Sequence, residues 1–425
     1  MSIMFISITT DYFCARQIDQ GDDPKARKRF LFLSIFVNLI ILGFFMYFNF
    51  FIGNFIDLLK GLHLFSNLAY LPLKIILPLG ISFYTFEAIS YTVDVYYRRA
   101  KPAASYWDYL LFVIYFPHLI AGPIMRAKDF LPQITATRTL TKEKFYEGCF
   151  IFFWGIFEKM FVADNLAKIV NPVFGALAPY QGSTVLLALY AFSFQIFCDF
   201  DGYSNMARGL GKCMGFEISI NFKLPYFASN PREFWQRWHI TLSSWMRDYL
   251  YIPLGGNRHG RAQMYMALLV TMLLAGLWHG ASWTFVLWGL YQAILLIIHR
   301  VWMPSSNQSQ NQNPVKQLIT VILFFHLTVL GWLFFRAQSI DQIIFMIQAI
   351  FLNFKFNHVD FPAWVKLSSL LLPLLAVQIW QYKTQDLMVL YKQHWILKTI
   401  IYALMTYLVL GWGIMKAEEF IYFQF

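Results

Sequence analysis

Charge is scarce in this chain. Asp, Glu, Lys and Arg together make up 13% of its 425 residues, about half of the roughly 25% usual in soluble domains. Hydrophobic residues reach 58% and aromatics 20%. A disordered chain needs the opposite balance. An ordinary soluble enzyme is excluded as well, because so few polar groups cannot cover so much apolar surface. Cysteine is also rare. Cys14, Cys149, Cys198 and Cys213 show no C-x-x-C spacing, which argues against a disulfide framework or a zinc site. They read as small buried apolar residues. No metal site is expected.

Several catalytic signatures are missing. The chain has no G-x-x-x-x-G-K-[ST] and no H-E-x-x-H, so a P-loop ATPase or a zincin is not expected. Gly280-Ala281-Ser282-Trp283-Thr284 begins like a nucleophile elbow but lacks the final glycine. Gly209-Leu210-Gly211 is not a dinucleotide fingerprint. A secretory signal is not apparent either: the first ten residues lack a basic start and run into Asp11. They read as the end of a helix whose beginning is absent.

What is present is long apolar runs, so lipid is the expected solvent. A spanning helix uses about 20 mostly apolar residues, and a β-barrel would need short strands of strict alternation. The expected fold class is an all-α polytopic membrane protein of about 9–11 transmembrane helices plus re-entrant or interfacial helices. Candidate spans cover 30–52, 72–93 (opened by Pro72 and broken near Pro78 and Gly80), 108–125 (with Pro117 and Pro123 marking a kink or an end), 145–170, 183–207, 262–279, 281–299, 315–335, 363–381 and 396–415. Residues 340–353 are short for a span. The polar stretch from Pro304 to Pro314 reads as a flexible loop. No internal repeat is visible, which weakens a transporter reading.

The net charge is +11, from 34 Lys+Arg against 23 Asp+Glu. In a multispan protein this reflects cytoplasmic loops that collect basic residues, so membrane lipid and not nucleic acid is the expected surrounding. Basic residues cluster at 16–29, 98–101, 126–144 and 208–261.

Residues 231–260 are too charged to cross lipid alone. Asn230 and Pro231 suit a helix start. At 100° per residue, Arg232, Gln236, His239, Ser243 and Arg247 share one stripe, and Trp238, Leu242, Trp245 and Tyr249 the other. The expectation is one amphipathic helix. It either lies in the interface or lines a water-filled funnel.

His279 stands in the apolar run Leu273-Leu274-Ala275-Gly276-Leu277-Trp278-His279-Gly280. An ionisable residue there is costly and points to function by default. Its bland alternative is a hydrogen bond to a neighbouring helix. A general base must enter as neutral imidazole, the form that burial favours, and this suits deprotonation of an acceptor hydroxyl. Gly276 and Gly280 would let another backbone approach. Glu87, Asp199 and Asp201 are further polar groups in apolar surroundings, as tunnel-lining groups or structural partners. The remaining histidines (His63, His118, His259, His299, His326, His358 and His394) lack such context.

Phe234 through Arg258 (FWQRWHITLSSWMRDYLYIPLGGNR) and Gly276 through Trp288 (GLWHGASWTFVLW) resemble the membrane-bound O-acyltransferase (MBOAT) family, nearest its bacterial alginate O-acetylase branch. Pro78 through Tyr97, Phe116 through Gln133, Asp199 through Gly209 and Phe420 to Phe425 extend the resemblance over nearly the whole chain. It departs at Asp201 and Asn205, where that branch often has Ser and Asp. The resemblance implies a single integral-membrane domain over 1–425, a core motif region at 199–290, and a ring of helices around a central tunnel. It implies that family members begin with about two further apolar segments.

By the same resemblance, His279 and His239 are the catalytic residues, with His279 as base and His239 positioning the donor or supporting the base. Beside what the resemblance implies, Trp278, Trp235, Trp238, Arg237, Ser243, Arg247, Asp199 and Glu87 are the candidate tunnel-lining or substrate-binding residues. The activity implied is acetyl transfer from acetyl-CoA, a substrate and not a bound cofactor, toward hydroxyls of an extracytoplasmic polysaccharide or peptidoglycan. The implied partner is a periplasmic or extracellular transferase with a Ser-His-Asp site, and the location the bacterial inner membrane. D-alanyl transfer to teichoic acid, and a non-enzymatic transporter or flippase, are the alternatives.

Overall fold

The computed structural model describes residues 2–64, 70–175, 180–302, 313–416 and 420–421. Most of the loop expected at 304–314, and the last residues of the Phe420–Phe425 motif, lie outside the described residues. Among the described residues all regular structure is helical, and there is no strand. Seven helices there are long and apolar enough to cross a membrane: Pro24–Gly61, Gly182–Cys213, Gly260–His279, Trp283–Trp302, Pro314–Arg336, His358–Thr384 and Trp395–Trp412. The protein is therefore a multi-pass membrane protein. Other helices fail one condition. Ser2–Gln20 carries Asp11, Arg16 and Asp19, and Ile340–Phe351 has only 12 residues.

The two spans with expected proline breaks are interrupted. Residues 70–78 are non-helical, and the helix of that region is Ile81–Tyr96. Pro72 and Pro78 disfavour helix in the residues before them. Gly80 then takes φ 68, and a Cβ there would come 2.3 Å from the Leu119 carbonyl oxygen. The span expected over 108–125 is the short helix Tyr106–Ile114 and a single turn, Phe116–Leu119, around Pro117.

The chain forms two compact units: Met1–Thr139 with Gly280–Ser282, and Leu140–His279 with Trp283–Phe425. In the first unit, Ser2–Gln20 packs on Pro24–Leu42 and on Ile81–Tyr96. Asp23 caps the second of these helices, accepting from the Lys25 and Ala26 amides at 3.0 and 3.1 Å. Asp11 is fully buried between them. Ser34 donates to it at 2.6 Å and Asn38 at 2.9 and 3.0 Å, which satisfies both carboxyl oxygens.

In the second unit, Gly182–Cys213 is the central helix, with 83% of its most apolar window buried. It lies against Lys142–Ile156 along a glycine seam. A Cβ on Gly155 would come 2.4 Å from the Gly202 carbonyl oxygen, and one on Gly209 would come 2.5 Å from that of Gly148. The seam lets two backbones touch, which is how packing is gained in a membrane without a hydrophobic drive. Beyond Ile156 the helix widens into a π turn, Phe157–Ala163. The turn carries Lys159, whose ammonium reaches Asp199 at 2.5 Å and Asp164 at 2.8 Å.

Candidate active site

The segment 231–260 breaks where one amphipathic helix is expected. Pro231–Arg237 is capped by Asn230, whose side chain accepts from the Glu233 amide at 2.9 Å. It stops at Trp238, and a second helix, Ile240–Met246, follows. Between them His239 adopts φ 39, ψ 57, in the left-handed region. Histidine is among the residues that enter this region more readily than most.

The break is held from a neighbouring loop. The Asn221 carbonyl accepts from the Ile240 amide at 2.9 Å. Its side-chain oxygen accepts from the Thr241 hydroxyl at 2.7 Å, and its amide donates to Ser204 at 3.0 Å. The Lys223 amide donates to the Arg237 carbonyl at 2.9 Å.

This break rotates His239 out of the polar stripe. Arg232, Gln236 and Arg247 remain exposed, while His239 is 0% exposed. A 100° wheel assumes helical φ and ψ at every position, and one left-handed residue invalidates it. The imidazole packs at 4.6 Å from Phe200 and 6.0 Å from Trp278, ring centre to ring centre. Neither ring nitrogen has a hydrogen-bond partner among the described residues. Two bare nitrogens on a buried ring are costly unless something else engages them.

His279 arrives from another element, as the last residue of Gly260–His279. That helix packs closely on Trp283–Trp302. A Cβ on Gly276 would come 2.2 Å from the Phe285 carbonyl oxygen, and one on Gly289 would come 2.3 Å from that of Met272. Gly276 thus provides the backbone approach its motif suggested. His279 is 6% exposed, with Trp278 at 4.9 Å, Trp288 at 5.1 Å and Phe335 at 5.0 Å between ring centres. Trp278 therefore contacts both histidines.

The other sequence-selected residues divide. Trp238 belongs to the aromatic wall, 4.7 Å from Trp332. Trp235 joins the wall through Trp288 at 5.9 Å. Arg237 is held by Glu233 at 2.7 Å. Ser243 donates to the Trp238 carbonyl at 3.0 Å, fastening the break. Arg247 pairs with Asp248 at 2.7 Å in an exposed π turn. Asp199, besides Lys159, accepts from the Ile421 amide at 2.8 Å. Glu87 lies in the first unit, accepting from the Met125 amide at 2.9 Å, with His118 at 3.4 Å.

Asn221 and Phe335 escaped the sequence reading. Each is an ordinary residue type in an ordinary local context, and only the fold brings it to the histidines. Among the described residues no group of His, Cys, Asp and Glu could hold a metal ion.

The class so defined is an all-helical multi-pass membrane protein with two buried histidines sharing a tryptophan. The model of the membrane-bound O-acyltransferase family matches residues 36–339, and the chain belongs to that family. It is 42% identical over 351 residues to a probable alginate O-acetylase of Pseudomonas aeruginosa, covering 82% of this chain and 66% of that protein. It is 35% identical over 362 residues to a peptidoglycan O-acetyltransferase of Helicobacter pylori, covering 79% and 67%. It is 27% identical over 289 residues to a teichoic acid D-alanyltransferase of Bacillus subtilis, covering 63% and 70%. The chain spans about two thirds of the length of the curated relatives it matches.

Proposed function

We propose that this protein is a membrane O-acyltransferase that moves an acetyl group from acetyl-CoA toward hydroxyls of an extracytoplasmic polysaccharide or peptidoglycan. The observation that carries this reading is the convergence on Trp278 of His239, from a helix break, and His279, from a helix end, inside the segment that matches the family. The names of the alginate and peptidoglycan relatives support the acetyl group and the polymer class. The bacterial inner membrane is the location that fits such relatives.

In the proposed reaction His279 takes the proton from the acceptor hydroxyl as its oxygen attacks the thioester carbonyl. The carbon–sulfur bond breaks, and the departing thiolate takes that proton from the imidazolium. Proton transfer of this kind contributes roughly 10²–10⁴-fold in rate. His239, with two unengaged nitrogens in a dry aromatic setting, donates to the developing oxyanion. Arg232, Arg247, Arg258 and Arg261 are exposed and would draw the phosphates of the donor. A separate Ser-His-Asp transferase outside the membrane is the proposed relay to the polymer.

The similarity to a D-alanyltransferase favours one second reading, transfer of D-alanine onto teichoic acid. Consumption of acyl thioesters by the purified chain separates the two. Turnover of acetyl-CoA, with little of a D-alanyl thioester, is expected. The reverse preference would replace the acetyl reading. Consumption of neither would overturn the enzyme assignment.

A further inference from the structure

Two thiols meet at one end of the glycine seam. Cys149, on Lys142–Ile156, and Cys213, the last residue of Gly182–Cys213, hold their sulfurs 3.9 Å apart. Both are free; Cys149 is exposed and Cys213 half-buried, while Cys14 and Cys198 are buried. The backbones are pressed together here, since a Cβ on Gly148 would come 2.7 Å from the Gly209 carbonyl oxygen and 2.9 Å from the Cys213 amide nitrogen. Lys212 next door pairs with Glu147 at 2.9 Å and reaches Glu217 at 3.7 Å. Charges so grouped mark an aqueous boundary, so water-soluble reagents reach the pair.

A disulfide requires a sulfur separation of about 2.05 Å and closely spaced backbones. The seam supplies the second condition. The first needs the sulfurs, now 3.9 Å apart, to close by about 1.85 Å. The chain leaves its helix directly after Cys213 and turns at Gly215, φ 84, so the segment that carries this sulfur has room to adjust.

We propose that Cys149 and Cys213 form a dithiol modification site whose co-reactant is a low-molecular-weight disulfide. The Cys149 thiolate attacks one sulfur of that disulfide, forming a mixed disulfide and expelling one thiolate. The Cys213 thiolate then attacks the Cys149 sulfur and expels the second. Two protein thiols are oxidised, one small disulfide is reduced to two thiols, and the two protons end on those thiols. The new bond ties the middle of Lys142–Ile156 to the end of Gly182–Cys213.

The test uses the full chain in detergent, incubated with glutathione disulfide at about pH 8, near the ordinary thiol pKa. After acid quenching, free thiols are counted by alkylation under denaturing conditions, and the digested peptides are weighed. The count is expected to fall from the four cysteines of the sequence by two together. A peptide linking Cys149 to Cys213 should appear, and dithiothreitol should restore all thiols. Cys213→Ser should trap a glutathione adduct on Cys149, and Cys149→Ser should prevent the link. Two results would overturn the proposal: a wild-type chain that keeps both thiols, or one that accumulates the adduct without the link.

Discussion

At the scale of the residue, the claim concerns two imidazoles buried among aromatic rings. A histidine that only packs could be replaced by an apolar residue of similar size. One that moves a proton cannot. His279→Ala and His239→Ala are each expected to lower acyl transfer by roughly 10²–10⁴-fold, in protein that elutes from a sizing column like the wild type. Transfer by both variants at wild-type level would end the assignment. Asn221 makes a different prediction, because it acts on backbone. Asn221→Ala removes the acceptor of Thr241 and the donor to Ser204. Leaving buried partners unmatched costs about 1–3 kcal/mol, so the thermal midpoint should fall along with activity.

His279 was legible in the chain because a lone ionisable group in an apolar run stands out. His239 was legible as a candidate but not in its placement. Its left-handed backbone has no glycine or asparagine to announce it, and the residue that holds it, Asn221, lies in a separate loop. Ser243 and Arg247 stand on the polar stripe of the wheel, and Arg237 joins them as a candidate substrate contact. In the fold Glu233 holds Arg237, Ser243 donates to the Trp238 carbonyl, and Asp248 pairs with Arg247.

At the scale of the element, helix packing rests on glycines that no single-helix pattern identifies. Apolar length located Gly182–Cys213 and Gly260–His279 well, since the period and the run length are local properties. It could not say which glycines face a neighbour. It also missed that residues 70–78 stay non-helical, although Pro72 and Pro78 stand there openly. The seam gives a direct contrast. Gly202→Leu drives a side chain into the Gly155 carbonyl, which lies 2.8 Å from the Cβ position. Overpacking of this kind typically costs 1–3 kcal/mol and occasionally more, and rigid backbone on the other side places this case at the upper end. Gly43→Ala has no atom within 4 Å to meet and should be neutral or slightly stabilising. Detergent-solubilised yield and melting temperature of the two variants check the difference.

At the scale of the whole molecule, Lys159 ties distant parts of the second unit together. It binds Asp164 on the following helix and Asp199 on the central helix, and Asp199 receives the Ile421 amide from the far end of the chain. Lys159→Met would leave two buried carboxylates without their cation. Breaking such a pair from one side typically costs 3–5 kcal/mol, so folded protein should be scarce, and Asp199→Asn should be milder. A melt of Lys159→Met equal to that of the wild type would contradict this role.

Acyl transfer is the claim on which the functional account depends, and labelled acetyl-CoA tests it most directly. Membranes bearing the protein and the partner transferase proposed for it are supplied with donor labelled on the acetyl group, alongside His279→Ala membranes at matched expression. The account predicts label in envelope carbohydrate that is lost in the variant. Equal label in both membranes, or none in either, would contradict it.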